Sequence, residues 1–177
     1  MAAILWTSLI FATVGSVFPT MAAGSVEYTL GAGDELRVIV FGQQDLSGKF
    51  TVDGGGAISL PLIGNVNAGG KTVREATNAI VAKLKPDYLK NPRVSVEVLN
   101  YRPFYIIGEV KNPGSYAYVS GMTAVNAVAL GGGYTYRARE NNIYITRAND
   151  PKRKKKKASH DTIVLPGDIL EVPERFF

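Results

Sequence analysis

The chain of 177 residues contains no cysteine and a single histidine. Without cysteine it has neither a disulfide framework nor a thiolate metal site, and the cysteine-linked anchor of a bacterial lipoprotein is excluded. The lone histidine, His160, lies beside a run of lysines, and no partners for a catalytic triad or a metal site are evident. We therefore predict a solvated loop position for His160, no catalytic residue, no metal and no cofactor.

Charge is absent from the N-terminal segment, where the first charged side chain is Glu27. An almost wholly apolar stretch covers residues 4–18, which is shorter than the roughly 20 residues of a membrane-spanning helix. Small residues suited to signal peptidase follow at 21–24. We predict a signal peptide over residues 1–23 and a mature chain beginning near Gly24. The stretch lacks the usual Lys or Arg, and a retained anchor is the alternative.

Long helical patterns are also scarce, because 19 glycines and nine prolines interrupt the chain. Apolar residues make up 46% of the sequence, which is enough for a folded core. This balance favours many short strands and turns over long helices. The predicted fold class is α+β, with two small β-rich modules that each carry a short helix.

The formal net charge of +5 is concentrated in one segment. Without it, 14 basic and 15 acidic residues remain, and their net charge is −1. We predict a solvated hairpin loop for this segment, and contact with acidic polysaccharide or phospholipid head groups is the alternative. Nucleic acid is not expected as a partner, because no aromatic residues for base stacking interrupt the segment. The segment, called the basic run below, consists of Lys152, Arg153, Lys154, Lys155, Lys156 and Lys157.

The first module, residues 24–100, begins with strand patterns. Leu36, Val38 and Val40 alternate with polar residues and predict a strand. Three glycines at 54–56 predict a hairpin turn between two further strands, and the second of these should lie at a sheet edge or end at Pro61.

A helix and a last strand complete this module. Thr72 and Glu75 form a capping-box pattern at the start of the helix. Apolar residues recur at helical spacing as far as Leu84, and Pro86 ends the helix. Residues 93–98 alternate as a strand.

The second module, residues 101–177, has strand patterns at 104–110, 142–147 and 162–165, with the basic run between the last two. A final strand pattern begins at Ile169.

Turn signals and a short helix lie within the second module. Asn112, Pro113 and Gly114 predict a type II turn, with Pro at the second position and Gly at the third. A short helix is predicted from Thr123 to Leu130, where a run of glycines ends it.

Two short patterns occur in both modules. Residues 33–38 have the same Gly-Asp-x-Leu-x-Val pattern as residues 167–172, and residues 63–69 resemble residues 107–114 with one residue inserted. Together with a shared strand–turn–helix order, these matches predict two related units. The ordinary structural role for Asp34 and Asp168 is to form hydrogen bonds with the backbone of a turn that precedes a strand. A pair of acids for glycoside cleavage, as in a hydrolase or lyase, is the weakest alternative.

Gly69-Gly70-Lys71-Thr72 is the nearest approach to a catalytic motif. A phosphate-binding loop requires a glycine five residues before the Gly-Lys pair, and the residue at that position is Asn65. We predict a turn followed by a helix cap.

Taken in order, these segments resemble the bacterial polysaccharide export family. Residues 28–40, with the pattern Y-x-L-G-x-G-D-x-L-x-V, resemble the opening of the polysaccharide export domain. Residues 53–64, the helix that begins at Thr72 and residues 91–96 resemble its remainder. From Phe104 onward, the chain resembles a soluble-ligand-binding β-grasp (SLBB) domain. The residues that carry this second resemblance are those at 107–116 and 131–134, Arg147, and those at 165–168 and 172–177.

The resemblance implies a non-enzymatic, ring-forming protein of the periplasm and outer membrane that passes exo- or capsular polysaccharide outward. Its expected partners are the polysaccharide, other copies of the chain and an inner-membrane polysaccharide co-polymerase. Because the sequence lacks the cysteine and the C-terminal amphipathic helix of larger members, we expect a short member that docks on a separate outer-membrane β-barrel. A monomeric carbohydrate- or ligand-binding module that senses or regulates polymer production is the alternative. Contacts with polymer or subunit are predicted for the turns at Asp34, Asn112, Pro113 and Gly114.

Overall fold

Residues 27–85 and 87–175, which the computed structural model of this protein describes, form ten β-strands and two α-helices. This mixture confirms the α+β class. The predicted signal peptide at 1–23 and the predicted helix end at Pro86 lie outside the described residues. In chain order the elements are β1 (Glu35–Val40), β2 (Gln43–Thr51), β3 (Ala57–Leu60), β4 (Gly64–Asn67), α1 (Val73–Leu84), β5 (Val94–Asn100), β6 (Phe104–Gly108), β7 (Gly114–Tyr116), α2 (Ala124–Leu130), β8 (Ile143–Thr146), β9 (Lys155–Ala158) and β10 (Ile169–Val172).

The first half of the chain, residues 27–100, is built around an antiparallel sheet in the order β2-β1-β5. The central strand β1 alternates as its sequence predicts, with Leu36, Val38 and Val40 buried on one face. β3 and β4 form a separate two-stranded hairpin, and β3 ends immediately before Pro61, which has no N–H for a ladder.

Helix α1 begins with the predicted capping box. The Thr72 hydroxyl accepts a hydrogen bond from the Glu75 N–H at 3.2 Å, and the Glu75 carboxylate accepts one from the Thr72 N–H at 2.8 Å. Ala76, Ile80 and Leu84 recur on one side of the helix and are buried in the core of the first half. The helix therefore covers one face of that core.

The second half, residues 101–175, contains a five-stranded sheet in the order β7-β6-β10-β8-β9. β6 and β10 are far apart in sequence and pair in parallel at its centre, whereas the other neighbours are antiparallel. Helix α2 packs on one face of the sheet through Ala124, Ala127 and Val128. A short helix held against a small mixed sheet is the β-grasp-like arrangement predicted for this half.

Each half has a hydrophobic core of its own. The buried cluster of the first half runs from Leu30 to Val96, and that of the second half runs from Phe104 to Val172. No buried residue belongs to both clusters, so each half buries its own apolar surface. The domain limits at 24–100 and 101–177 remain predictions.

The strand predicted at 162–165 is wrong. In this segment Ile163 makes one isolated bridge with Thr123. The backbone bonds of the segment are used at the start of α2, where the Val164 N–H donates to the Met122 carbonyl and the Thr162 carbonyl accepts from the Ala124 N–H, both at 2.9 Å. The apolar pattern at 162–165 thus reflects burial beside helix α2 and not pairing in a β-ladder.

The strand that pairs with β8 is β9, which contains the second half of the basic run. The prediction of a loop for the whole run is therefore wrong, although residues 152–154 do lie in the connection between β8 and β9. Ala158 is buried opposite Ile143 and fixes the register of the pair. The pairing of β9 with β8 therefore places Lys155, Lys156 and Lys157 in a strand.

Two predicted turns also differ from the structure. Gly114 does not have a positive φ, so the turn at 112–114 is not of type II. The glycines at 54–56 do form a tight turn, in which the Asp53 N–H donates to the Ala57 carbonyl at 2.8 Å. The strands on its two sides nevertheless pair with other strands, since β2 pairs with β1 and β3 pairs with β4.

Candidate functional site

The turn before β1 is closed by the carboxylate of Asp34, whose side chain is fully buried. Its Oδ2 accepts hydrogen bonds from the Gly31 N–H at 2.7 Å and from the Tyr28 hydroxyl. Its Oδ1 accepts from the Arg102 N–H at 2.9 Å, and the Arg102 guanidinium lies 3.0 Å from Oδ2. The buried negative charge is therefore satisfied by one arginine and several donors.

The turn before β10 repeats this arrangement around Asp168, which is 1% exposed. Its Oδ2 accepts from the Leu165 N–H at 2.8 Å and from the guanidinium of Arg147 at 2.6 Å. Its Oδ1 accepts from the Ala148 N–H at 3.2 Å. The Gly-Asp repeat of the sequence thus corresponds to two turns of the same construction, and the predicted turn role of both aspartates is confirmed.

Arg102 lies between these two turns and joins the halves. Its side chain is 12% exposed. A Cβ atom added at Gly167 would lie 2.7 Å from Arg102 Nε, and one added at Gly31 would also overlap the guanidinium. The absence of side chains at these two glycines therefore makes the space that Arg102 occupies.

Aromatic rings extend the contact between the halves. Tyr101 packs edge-on against Tyr28 at 5.1 Å and against Tyr118 at 5.2 Å between ring centroids. Burial raises the pKa of Tyr28 well above its ordinary value, and the hydrogen bond to Asp34 raises it further. Burial also raises the pKa of Tyr118. The phenol of Tyr28 thus stays protonated and serves as a donor to Asp34.

Two clefts open on either side of Arg102. The smaller, of about 380 Å³, is bordered by Tyr28, Arg147, Lys156 and Pro166. The larger, of about 570 Å³, lies between the glycine turn at 31–33 and the second half. We call this larger cleft the junction groove, and its side chains on the second half include Arg102, Tyr105, Asn149 and Arg153.

Asn149 connects the walls of both clefts. Its Nδ2 donates to the Thr29 hydroxyl of the first half at 2.6 Å, and its Oδ1 accepts from Arg102 Nη2 at 3.4 Å. The connection between β8 and β9 is thereby tied to the first half of the chain. As a result, basic residues of this connection lie next to the junction.

The basic run is divided between the connection before β9, which holds residues 152–154, and β9 itself, which holds residues 155–157. Lys156 borders the smaller cleft, where its Nζ lies 3.7 Å from Asp150. Lys155 lies 2.5 Å from Glu171 and 5.4 Å from the centre of the Tyr144 ring. All six residues of the run are exposed. Their contact with an anionic partner stays a prediction.

The predicted contact residues Asn112 and Pro113 are exposed in the connection between β6 and β7, and Gly114 is exposed at the start of β7. The Asn112 N–H donates to the Gly131 carbonyl at 2.8 Å, so this turn rests on the glycines after α2. These residues border neither cleft. The structure thus does not bring them together with Asp34, and their role as polymer or subunit contacts remains a prediction, as does that of Asp34.

The residues with potential for catalysis are placed in ordinary structural positions. His160 is exposed and its Nε2 lies 3.1 Å from the Glu140 carbonyl. The segment 69–72 forms the predicted turn and helix cap, with the Lys71 N–H bonded to the Ala68 carbonyl at 3.1 Å. Within the described ranges, no group of three or more His, Cys, Asp or Glu side chains is placed to hold a metal ion.

Arg102 and Asn149 were missed by the sequence interpretation, and Arg147 was noted only as a residue of the SLBB resemblance, without a role. A signal for the arginines existed, because a carboxylate that precedes a buried strand needs a cation when it is itself buried. With 20 basic residues in the chain, the sequence does not show which ones fill that role. Asn149 lies in a connecting segment and carries no local pattern.

Two family models match the chain in succession. Residues 22–99 match the model for polysaccharide biosynthesis/export proteins, and residues 103–155 match the model for the SLBB domain. The matches leave only residues 100–102 between them, where Arg102 joins the two halves.

Curated relatives match a part of the chain. The exopolysaccharide production protein ExoF of Rhizobium meliloti is 40% identical over 119 residues, which cover 60% of this chain and 28% of the relative. The polysialic acid transport protein KpsD of Escherichia coli is 31% identical over 109 residues, which cover 60% of this chain and 20% of the relative. The chain therefore spans little more than a quarter of the length of the first relative and a fifth of the length of the second.

In the part of the chain that the structure describes, neither helix has the length and apolar character needed to cross a membrane.

Proposed function

Because the chain belongs to the polysaccharide export family, we propose that it acts in the export of an exo- or capsular polysaccharide across the bacterial cell envelope. The observation that carries the proposal is the order of the two family matches, an export model followed by an SLBB model. The names of the relatives, one for exopolysaccharide production and one for polysialic acid transport, support it.

The proposed domain limits are a signal peptide at 1–23, an export domain at 24–100 and an SLBB domain at 101–177. The protein acts in the periplasm beside the outer membrane. Its proposed partners are the polysaccharide, further copies of the chain in a ring, an inner-membrane co-polymerase and a separate outer-membrane β-barrel.

The mechanism is physical and involves no bond cleavage. A conduit built from several copies requires each copy to hold its two halves in one orientation. A deviation in the angle between the halves would otherwise accumulate from copy to copy around a ring. The ion pair of Asp34 with Arg102 and the ring contacts of Tyr101 supply such a fixed junction. The polymer then passes along a surface that contacts it weakly.

Deletion of the gene tests the export role. Extracellular polysaccharide and polysaccharide retained in the periplasm are measured together, in a strain without a second protein of this family. We expect less polymer in the medium and more inside the cell, with both restored by the intact gene. Normal amounts in both places contradict the export role.

Native mass spectrometry of the purified protein tests the ring. We expect a defined oligomer, and a monomer at every concentration contradicts the ring. Addition of the protein alone to planar bilayers tests the need for a partner in the outer membrane. A conducting pore in that experiment contradicts docking on a separate β-barrel.

A monomeric module that senses a sugar and regulates polymer production is the second candidate. The junction groove favours it, since a cleft of about 570 Å³ lies within the usual size range of small-ligand sites. Normal localisation of the polymer with altered total amount in the deletion strain supports this candidate over export.

A further inference from the structure

The junction groove has a wall of bare backbone on one side and cationic and aromatic side chains on the other. Gly33 and Gly70 border it without side chains, so that a ligand approaches the main chain closely, whereas the space beside Gly31 and Gly167 is filled by Arg102. Resting on the proposed export function, we propose that this groove binds a carboxylate-bearing sugar of an acidic polysaccharide.

Arg153 supplies the free positive charge of the groove. In the residues that the structure describes, no carboxylate lies within ion-pair distance of its guanidinium, whereas Arg102 is paired with Asp34. An unpaired guanidinium at the edge of a cleft offers two parallel N–H donors to a carboxylate.

The backbone of Arg153 is strained. Its φ is 44°, in the left-handed region that residues other than glycine rarely occupy. The Arg153 N–H donates to the Asp150 carbonyl at 2.9 Å, and the Asp150 carboxylate accepts from the Lys152 N–H at 3.0 Å. These bonds hold the strained turn that directs Arg153 to the groove, and such strain is typical of binding sites.

Tyr105 supplies an apolar surface for the sugar ring. Its side chain is 43% exposed and borders the groove. An aromatic ring with a polar rim packs against the C–H face of a sugar while its hydroxyl remains in water. The combination of a ring face and a guanidinium selects an acidic sugar over both a neutral sugar and a simple anion.

The sheet face next to the groove carries further lysine side chains. In the sheet register, Tyr105 is followed across the strands by Ile169, Thr146 and Lys155, which therefore share one face. Helix α2 and the core lie on the opposite face, which carries Phe104 and Ile106. This row spans about 14 Å, from three strand spacings of about 4.8 Å each. Lys155 at its far end is paired with Glu171, and Lys157 beside it on the same face provides a further cation for a polymer with repeated carboxylates.

A polysaccharide fits this surface better than a membrane does. The groove is concave, which suits a sugar chain. The connection at 150–154 contains no large apolar side chain that would insert between lipids.

Binding of a galacturonate oligosaccharide to the purified protein tests the proposal, with a neutral maltooligosaccharide of equal length as the control ligand. Isothermal titration calorimetry at about 50 mM salt limits charge screening. Arg153→Asn is the test variant, because Asn accepts a left-handed backbone better than most residues do. Lys154→Asn is the matched control, since it removes the same charge from the neighbouring residue, which does not border the groove.

We expect Arg153→Asn to weaken binding of the galacturonate about tenfold and Lys154→Asn to weaken it less than about twofold, because only Arg153 makes charge-assisted bonds to the ligand. The thermal midpoints of the two variants should match that of the wild type, which shows that both fold. Tyr105→Leu should also weaken binding, since it removes the ring face.

Equal losses in the Arg153 and Lys154 variants would overturn the site in favour of diffuse attraction to the basic run. Equal affinity for the neutral oligosaccharide would overturn the acidic class. Tighter binding of the wild type to vesicles of phosphatidylglycerol in phosphatidylcholine than to the galacturonate, with vesicle binding lost in Arg153→Asn, would overturn it in favour of a membrane contact.

The export assay separates this proposal from the proposed function. A deletion strain that regains normal export with the Arg153→Asn gene would overturn the groove as a polymer site and leave the export role standing. Normal export in the deletion strain itself contradicts the export role, whereas the calorimetry still decides whether the groove binds the acidic sugar.

Discussion

Asp34 and Asp168 occupy equivalent positions in two copies of one turn. Each carboxylate accepts a hydrogen bond from the backbone N–H three residues earlier and an ion pair from an arginine, and each is followed by a buried strand. The arginine that serves Asp34 also fills the space beside Gly167, immediately before Asp168. The two turns are therefore coupled through Arg102, and changes in either one test the junction.

Replacement of Asp34 by Asn should destabilise the protein. The substitution leaves the Arg102 guanidinium largely buried without a counter-charge, and loss of one partner of a buried ion pair costs about 3–5 kcal/mol. Urea denaturation measures this loss as a change in the free energy of unfolding. Asp45→Asn, at an exposed site on β2, is the control and should change it by less than about 0.5 kcal/mol. Equal effects of the two substitutions would show that the ion pair does not stabilise the junction.

Gly167→Ala should also destabilise the protein. The φ of Gly167 is 82°, and the new Cβ would lie 2.7 Å from Arg102 Nε and 3.0 Å from Ala148 Cβ. The left-handed backbone alone costs about 1–2 kcal/mol for a residue with a Cβ, and displacement of Arg102 adds to this. Gly54→Ala is the matched control, because its Cβ would meet no atom within 4 Å and its φ is not positive. A thermal midpoint equal to that of the control variant would contradict the close packing of Arg102 on this turn.

Tyr28→Phe should make the protein less sensitive to alkaline pH. Burial and the Asp34 hydrogen bond raise the pKa of Tyr28 in the folded state above the value of the unfolded chain. The folded state therefore holds this proton more tightly, and the resulting stability is complete below about pH 10 and is lost as the pH rises above it. Denaturation curves at several alkaline pH values should show a shallower fall in unfolding free energy for the variant. Tyr136→Phe, where the ring is 85% exposed, should retain the slope of the wild type.

Thr72→Ala should destabilise α1 by about 1 kcal/mol, because it removes the hydroxyl that caps the helix. The Thr72 N–H bond lowers the pKa of Glu75, so the stability that this carboxylate contributes is present above its ordinary pKa and is lost as the pH falls through the lowered value. Chemical denaturation at neutral and acidic pH measures both effects. Thr77→Ala is the control within the same helix, since the Thr77 hydroxyl donates to the Val73 carbonyl and caps nothing.

The elements that were predicted correctly carry their signals locally. The capping box at Thr72, the alternation in β1 and the stop at Pro61 are each contained within a few residues. The equivalence of Asp34 and Asp168 was also readable, because the same short pattern specifies the same turn in both places.

Elements that depend on distant partners were not predictable in this way. The lysines of β9 have no alternating apolar pattern, and the strand forms because Ala158 is buried beside β8. The segment at 162–165 has an apolar pattern but packs beside α2. The position of Arg102 depends on two turns more than 100 residues apart, which no local pattern specifies.

The central position of β10 has a consequence for biosynthesis. Strands β6 and β7 form one hairpin and β8 and β9 form another, and β10 is the strand that joins them. A nascent chain that has emerged only as far as Ala158 thus presents two separate hairpins with unpaired inner edges, and neither is stable alone. The second half must wait for residues 169–172 before its sheet closes, so it folds after synthesis of that segment and not progressively during it. A stop codon anywhere before Ile169 would remove the joining strand and leave those hairpin edges open to aggregation.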